Sequence, residues 1–292
     1  MRFADIGQQL RAYRLESGLR AEEIAARLGV SRAALYRYEK GEVIKLDTIR
    51  RLAELLKISP LSLLGIGVEY FSRPIAFQER LRQVEEQADQ ILMVGGALCY
   101  QVSTDAFEGA VAEAWTEAAD AATDRAPARA LADQALGLLS ARKKVHQQRK
   151  PNIIGILSEA ALRRFLQDGV AAGIPLSERT RARCRAAAQT EAESIATQME
   201  SVPIGLQLGL TAGPDPSGSF IVLRGRDRAN VVGGPFPPDA PPTGGLGVAM
   251  ITAADEAVAV HQRVAEAAWR DALKGADAAA RVRELIRITT PD

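Results

Sequence analysis

Apolar residues recur along the chain with two periods, and the architecture changes where the period changes. Up to residue 64 the spacing is three and four throughout. Ile6, Leu10 and Tyr13 share one side of a helix predicted over 6–17, and Gly18 stops it. Ala25, Leu28, Val30 and Leu35 then place small and branched groups on the facing sides of two short helices. Gly29 lies between them, where a tight turn needs a residue that tolerates positive φ. Ser31 is placed to cap the second of these helices, its hydroxyl accepting from a free backbone N–H. Ile49, Leu52, Ala53 and Leu56 form the i, i+3, i+4, i+7 stripe of a fourth helix, with Asp47 the expected cap. Ser59-Pro60 opens a last short turn with a cap and a proline at the first helical position.

Residues 65–75 read as a junction. Phe77, Leu81, Val84, Ala88 and Ile91 step at helical intervals and predict a linker helix over 67–90, either a spacer or a dimer seam. Beyond it short continuous apolar runs appear, the mark of buried strands. Ile91–Val94 ends in Gly95-Gly96, and further strands are expected over 152–157, 203–210, 219–224, 229–233 and 247–252. The 219–224 and 229–233 strands form an expected hairpin across 225–228. Helices are predicted between the strands: one with the stripe Phe107, Val111, Ala114, Trp115 and Ala118, an Ala-rich one over 128–145, one after the 152–157 strand, and a long one over 177–201. A helix begun by Thr252 and Asp255 carries Val258, His261, Val264, Ala268 and Trp269. Proline and glycine make 233–245 a loop. The expected fold is multidomain: an all-α five-helix head over 1–66, the linker helix, and an α/β body over 91–292.

A chain of 292 residues, 47% hydrophobic and 25% charged, has ample material for two soluble domains. No run approaches the roughly 18 apolar residues a membrane span needs, and the N-terminus lacks an apolar signal segment, so a cytoplasmic, nucleoid-associated location is expected. Charge divides the chain: residues 1–65 carry 12 Lys/Arg against 8 Asp/Glu, and the remainder 25 against 28. A basic head on a mildly acidic body suits a small DNA-contacting domain joined to one that does not touch DNA. Cys99 and Cys184, far apart and without a CxxC partner, indicate neither a disulfide framework nor zinc.

The segment 19–41, LRAEEIAARLGVSRAALYRYEKG, adds chemistry to the pattern. Ala33 and Ala34 keep the start of the second short helix slim, so that it fits a major groove about 12 Å wide with Arg32 and Arg37 projecting. From Ile6 to about Gly65 the chain resembles the Cro/repressor-type (XRE) helix-turn-helix domain. The resemblance rests on Leu10, Arg14, Gly18, Glu23-Ile24-Ala25, Leu28-Gly29-Val30-Ser31, Leu35, Glu39 and Gly41, followed by LDTIRRLAELLKISPLSLL as the closing helices. It implies that Arg32, Ala33 and Arg37 read bases, within a DNA-facing set of Arg20, Ser31, Arg32, Ala33, Tyr36, Arg37 and Lys40. The family often opens its second helix with a polar cap and a Gln that clamp a phosphate. Here Arg20 and Ala21 stand there, and Arg20 is the residue left to replace that contact.

The body offers less. Gly95-Gly96 lacks the spacing that brings several N–H groups onto a phosphate, and neither a GxSxG elbow nor an HExxH helix is present. His146 and His261 are too few for a multi-His metal cup. No catalytic residue, metal or cofactor is therefore expected. Arginines remain: Arg163 and Arg164 after the 152–157 strand, Arg179 to Arg185 on the long helix, and Arg224 to Arg228 at the hairpin. Converging, Arg163, Arg164 and Arg224 would clamp a carboxylate or phosphate; otherwise they are solvated faces balanced by Glu178, Glu191 and Asp227. The order of the body's elements is similar to the effector domains attached to many such regulators, some of which look like degenerate phospholipase-D folds without an HxK motif. The expectation is a non-enzymatic, sequence-specific transcriptional regulator that binds a double-stranded operator as a homodimer. Its body would sense a small molecule, an anionic one in keeping with the arginines. The rivals are an enzyme with an autoregulatory DNA-binding head and a protein-interaction module.

Overall fold

The computed structural model describes residues 3–64, 67–212, 218–242 and 246–289. Five helices form the head: α1 (Phe3–Ser17), α2 (Ala21–Leu28), α3 (Arg32–Glu39), α4 (Leu46–Leu56) and α5 (Pro60–Leu63). Leu10, Ile24, Leu35, Leu52 and Leu63 are fully buried at its centre, and of these Leu10, Leu35 and Leu52 are positions the helical spacing marks. Ser59 caps α5 by accepting from the Leu61 N–H at 3.1 Å. Asp47 does not cap α4. Lys45 stands at the cap, and Asp47 sits in the first turn paired with Arg50 at 3.0 Å, where a carboxylate still favours the positive end of the helix.

The body is one eight-stranded sheet in the order β1-β7-β6-β5-β2-β3-β4-β8. Its strands are β1 (Val68–Phe71), β2 (Gln90–Val94), β3 (Asn152–Ser158), β4 (Leu206–Thr211), β5 (Phe220–Arg224), β6 (Ala229–Gly233), β7 (Ala249–Thr252) and β8 (Leu273–Lys274). The helices are α6 (Pro74–Glu85), α7 (Asp105–Asp120), α8 (Arg125–Arg149), α9 (Glu159–Asp168), α10 (Glu178–Ser201), α11 (Asp255–Asp271) and α12 (Gly275–Thr289). β2, β3 and β4 run parallel, joined by helical crossovers, and the expected β5–β6 hairpin is present. Alternation divides the layers: Ile91, Ile153 and Leu157 belong to the main core with the helices of one face, whereas Val94 and Ile156 pack with Leu92, Phe220 and Ala265 beneath α11. Cys99 and Cys184 are free and buried, and burial pushes the Cys99 thiol up to about 12. No helix among the described residues is long and apolar enough to cross a membrane.

Three sequence expectations change. Residues 67–90 are not a linker helix: Val68–Phe71 is an edge strand paired antiparallel with β7, and Ile91 belongs to β2 rather than to the helix before it. Nor is α6 free to act as a spacer or dimer seam, because all of its residues but Arg82 are buried within this chain. Charged residues survive that burial by pairing. Arg80 donates to both carboxylate oxygens of Glu69 at 2.7 and 2.9 Å, and Arg142 to both of Glu85 at 2.8 and 2.7 Å. Near the C-terminus apolar residues cover the body itself. Val282 and Leu285 are fully buried on α12, which packs on α10, and Leu273 pairs with Leu210 of β4 in a two-residue strand. The helix α11 starts after Ala254, with Thr252 accepting from the Ala254 N–H at 3.2 Å instead of capping the helix.

Head and body meet along α1. Tyr13 stacks on Phe71 with centroids 5.7 Å apart and planes at 18°, Gln9 donates to Glu69 at 3.2 Å, and Arg11 pairs with the buried Glu79 at 3.1 Å. The Glu16 carboxylate accepts from the Ser72 N–H at 2.7 Å, the Ser72 hydroxyl at 2.5 Å and the Arg73 N–H at 3.0 Å. A side chain of the head therefore caps the start of α6, adding a favourable negative charge at its N-terminus.

Candidate nucleic-acid interface and the body cavity

The turn between α2 and α3 follows from Gly29. Its φ is 71°, in the left-handed region. The Gly29 N–H donates to the Ala26 carbonyl at 3.2 Å and the Val30 N–H to the Ala25 carbonyl at 3.0 Å, the paired bonds that close a helix through a left-handed residue. A Cβ at Gly29 would meet nothing within 4 Å, so the demand is on backbone conformation and not on space. Gly29→Val should therefore destabilise the head by about 1–2 kcal/mol, and Gly29→Asn by less, since Asn tolerates this region. Thermal unfolding checks it: an unchanged midpoint for the valine variant would mean the turn does not need the left-handed residue.

Ser31 caps α3 by accepting from the Ala34 N–H at 3.1 Å. Ala34 and Leu35 face inward, while Ser31, Arg32, Ala33, Arg37 and Lys40 are exposed. Arg20 is exposed beside them at the start of α2, where its N–H donates to Glu23 at 2.9 Å. Every member of the DNA-facing set expected from sequence is exposed except Tyr36, which is half-buried. Its hydroxyl accepts from Arg32 at 3.2 Å, and the guanidinium lies 5.3 Å from the ring centroid. Arg32 also pairs with Glu22 at 2.7 Å and Arg37 with Glu42 at 3.1 Å. Both pairs are exposed, a situation worth about 0–1 kcal/mol, so either arginine can exchange its carboxylate for a base edge at little cost.

Sequence reasoning missed what fixes the angle of α3. Arg14 on α1 donates to both oxygens of Glu39, at 2.5 and 3.1 Å, with both side chains largely shielded from solvent. Gly7 lets the helices touch, since a Cβ there would lie 2.5 Å from the Tyr38 carbonyl oxygen. Both glutamate and arginine are visible as residue types in the sequence. Their partnership across 25 positions is not.

The arginines expected to clamp a ligand do not converge. Arg163 pairs with Glu159 at 3.0 Å on α9, with Arg164 next to it, at the end of the sheet where β3 finishes. Arg224 lies at the other end, because β5 runs antiparallel to β2 and pairs Arg224 with Gln90; its guanidinium donates to Gln262. Arg183 and Arg185 pair with Glu113 and Glu178 at 2.7 and 2.6 Å as solvated faces. His261 is likewise structural, its ring edge-on to Phe220 at 4.8 Å and its Nδ1 at 2.8 Å from the Ala257 carbonyl. What the carboxyl end of β2 does present is a cavity of about 330 Å³, bounded by Gly95-Gly96, α6, α9 and the loop 234–239. Its polar floor is Gln78, Gln101 and Arg142, none of which the sequence singles out.

Residues 5–63 match the family model described as a helix-turn-helix domain. No curated protein matches the chain. Among solved structures it is similar to TrmBL2, an archaeal chromatin protein described as showing a novel mode of DNA binding, at 14% identity and a TM-score of 0.33 over 78% of this chain and 62% of that one. This chain thus spans about three fifths of that protein's length, and at such distance the likeness says nothing about the body's partner. Cap, left-handed turn, buried face and family match agree that residues 5–63 are a helix-turn-helix domain at the head of the chain.

Proposed function

We propose that the protein is a sequence-specific transcriptional regulator that binds operator DNA as a homodimer, with a body that senses a small molecule and performs no catalysis. The observation that carries this is the outward face of α3: a capped helix with a slim start and two exposed arginines whose ion pairs are themselves exposed. Each arginine can make a bidentate contact to guanine worth about 1–3 kcal/mol.

Sensing is supported by α6, which has one side in the cavity and the other in the joint with the head. Phe77, Gln78 and Leu81 line the cavity, whereas Glu79 and the cap at Ser72-Arg73 engage Arg11 and Glu16 of α1. A ligand with different affinity for two placements of α6 would shift the placement of the head by that difference. Gln78, Gln101 and Arg142 are tied together through Arg142 and Glu85, and Asp239 is held by the Ala171 N–H, so the cavity's titratable groups do not converge on one point, which favours binding over catalysis.

The test is selection of bound duplexes from a randomised pool by the full-length protein. The proposal expects a two-fold symmetric motif with half-sites about 34–36 Å apart, or a multiple of that. Recovery of duplexes without a common sequence would overturn it.

A further inference from the structure

We infer that the cavity takes an uncharged, planar, mostly apolar molecule of about two rings, an inference that rests on the sensing role proposed above and replaces an anionic effector. Four of the chain's seven phenylalanines, Phe77, Phe165, Phe220 and Phe236, line this space together with Tyr100. All five are buried except the half-buried Phe220, and Phe77 and Phe236 lie 5.9 Å apart, tilted by 57°. Phe236 reaches the site from a loop of prolines and glycines that the sequence gives no other reason to bury. At about 330 Å³ the cavity is roughly twice the size of the ~150 Å³ apolar cavity known to hold one benzene, which leaves room for two rings.

Charge decides the rest. Arg142 is the cavity's one arginine among the described residues, and its charge is already spent. Its Nε and Nη2 donate to the two oxygens of Glu85, its Nη1 donates to Gln78 at 2.6 Å, and the guanidinium lies 4.8 Å from the Tyr100 ring centroid. Gln101 completes the arrangement by donating to Glu85 at 2.7 Å. An entering anion would meet a neutral pair and, also in the lining, the Asp239 carboxylate, whose Oδ2 accepts from the Ala171 N–H at 2.9 Å. Burying an anion without a free cation is heavily disfavoured. A neutral ligand meets no such barrier and finds one exchangeable polar contact: the Gln78 amide donates to the Phe236 carbonyl at 3.3 Å, long enough that a ligand carbonyl or ring nitrogen can take the donor over.

Naphthalene-2-carboxamide and naphthalene-2-carboxylate share a shape and differ in charge, so calorimetric titration of the full-length protein with each separates the terms. The carboxamide should bind one site per chain, and the carboxylate at least about tenfold more weakly. Ala161→Phe and Ala97→Phe fill the cavity from two walls at half-buried positions. Each should weaken carboxamide binding by about tenfold or more while leaving the unliganded melting midpoint in place. If one variant fails to fold, the other carries the test. Equal or tighter binding of the carboxylate, binding untouched by a folded variant, or no carboxamide binding at all would each overturn the inference. Operator binding, measured with each probe present, keeps the two proposals apart. Carboxamide binding that leaves operator affinity unchanged removes the sensing role and keeps the site, whereas an operator response to the carboxylate alone keeps sensing and removes the inference.

Discussion

Arg142→Met should lower the stability of the body by about 3–5 kcal/mol, the range for breaking a buried ion pair by removing one partner. Arg142 and Glu85 are each 2% exposed at the side chain, and the guanidinium supplies two of the hydrogen bonds to that carboxylate, at 2.8 and 2.7 Å. Methionine fills much of the volume but leaves Glu85 charged, buried and served by Gln101 alone among the side chains that pair with it here. The double variant Arg142→Met, Glu85→Leu removes both charges and should recover most of the loss, because desolvating the pair already offsets much of its attraction. Urea unfolding of the three proteins measures this. A single variant as stable as the parent, or a double variant no better than the single, would mean the pair does not hold α6 against α8.

The second large effect concerns the dimer. Val260 and Val264, 47% and 50% exposed, stand one turn apart on the outer side of α11, the helix that lies alone against its face of the sheet. With α6 enclosed and α12 packed on α10, α11 is the helix of the body that, among the described residues, carries two exposed large apolar side chains one turn apart, a surface suited to a second copy. Val260→Glu with Val264→Glu should make the protein monomeric and reduce operator affinity by about 10²–10⁴, the avidity gained when the second head binds intramolecularly. Both residues lie on α11 of the body and not in the head, so a loss of DNA binding by a folded variant is expected to come through assembly. Sedimentation and operator titration at one fixed salt concentration check it. A variant that stays dimeric moves the interface elsewhere; one that is monomeric yet binds as before removes the need for two heads.

How far the sequence could be read depended on how local the forces are. The head was legible because caps, turn and stripe lie within a few positions of one another: Gly29 closes onto Ala25 and Ala26, and Ser31 onto Ala34. The alternation of strands and helices was visible too, since each apolar run is continuous in the chain. What was not visible depends on distant partners. Val68–Phe71 becomes a strand because β7 lies beside it, with Val68 opposite Thr252. The helix α6 reads as an exposed amphipathic spacer because its charges are ordinary surface residues until distant partners meet them: Arg142, 57 positions on, for Glu85, Glu69 for Arg80 and Arg11 for Glu79. The arginines thought to gather round an anion failed for a related reason: strand direction, which spacing does not reveal, sends Arg224 to the opposite end of the sheet from Arg163.

The central claim is that α3 reads base sequence. It is tested most directly by titrating the full-length protein and its Arg37→Ala variant against the selected operator and a complete set of single-base substitutions in one half-site. If Arg37 contacts guanine, the variant should lose about 1–3 kcal/mol on the parent operator and become indifferent to substitution at one position, while discrimination elsewhere is kept. A uniform weakening across every sequence, with a shallower salt dependence, would show that Arg37 touches only phosphate and would contradict the account.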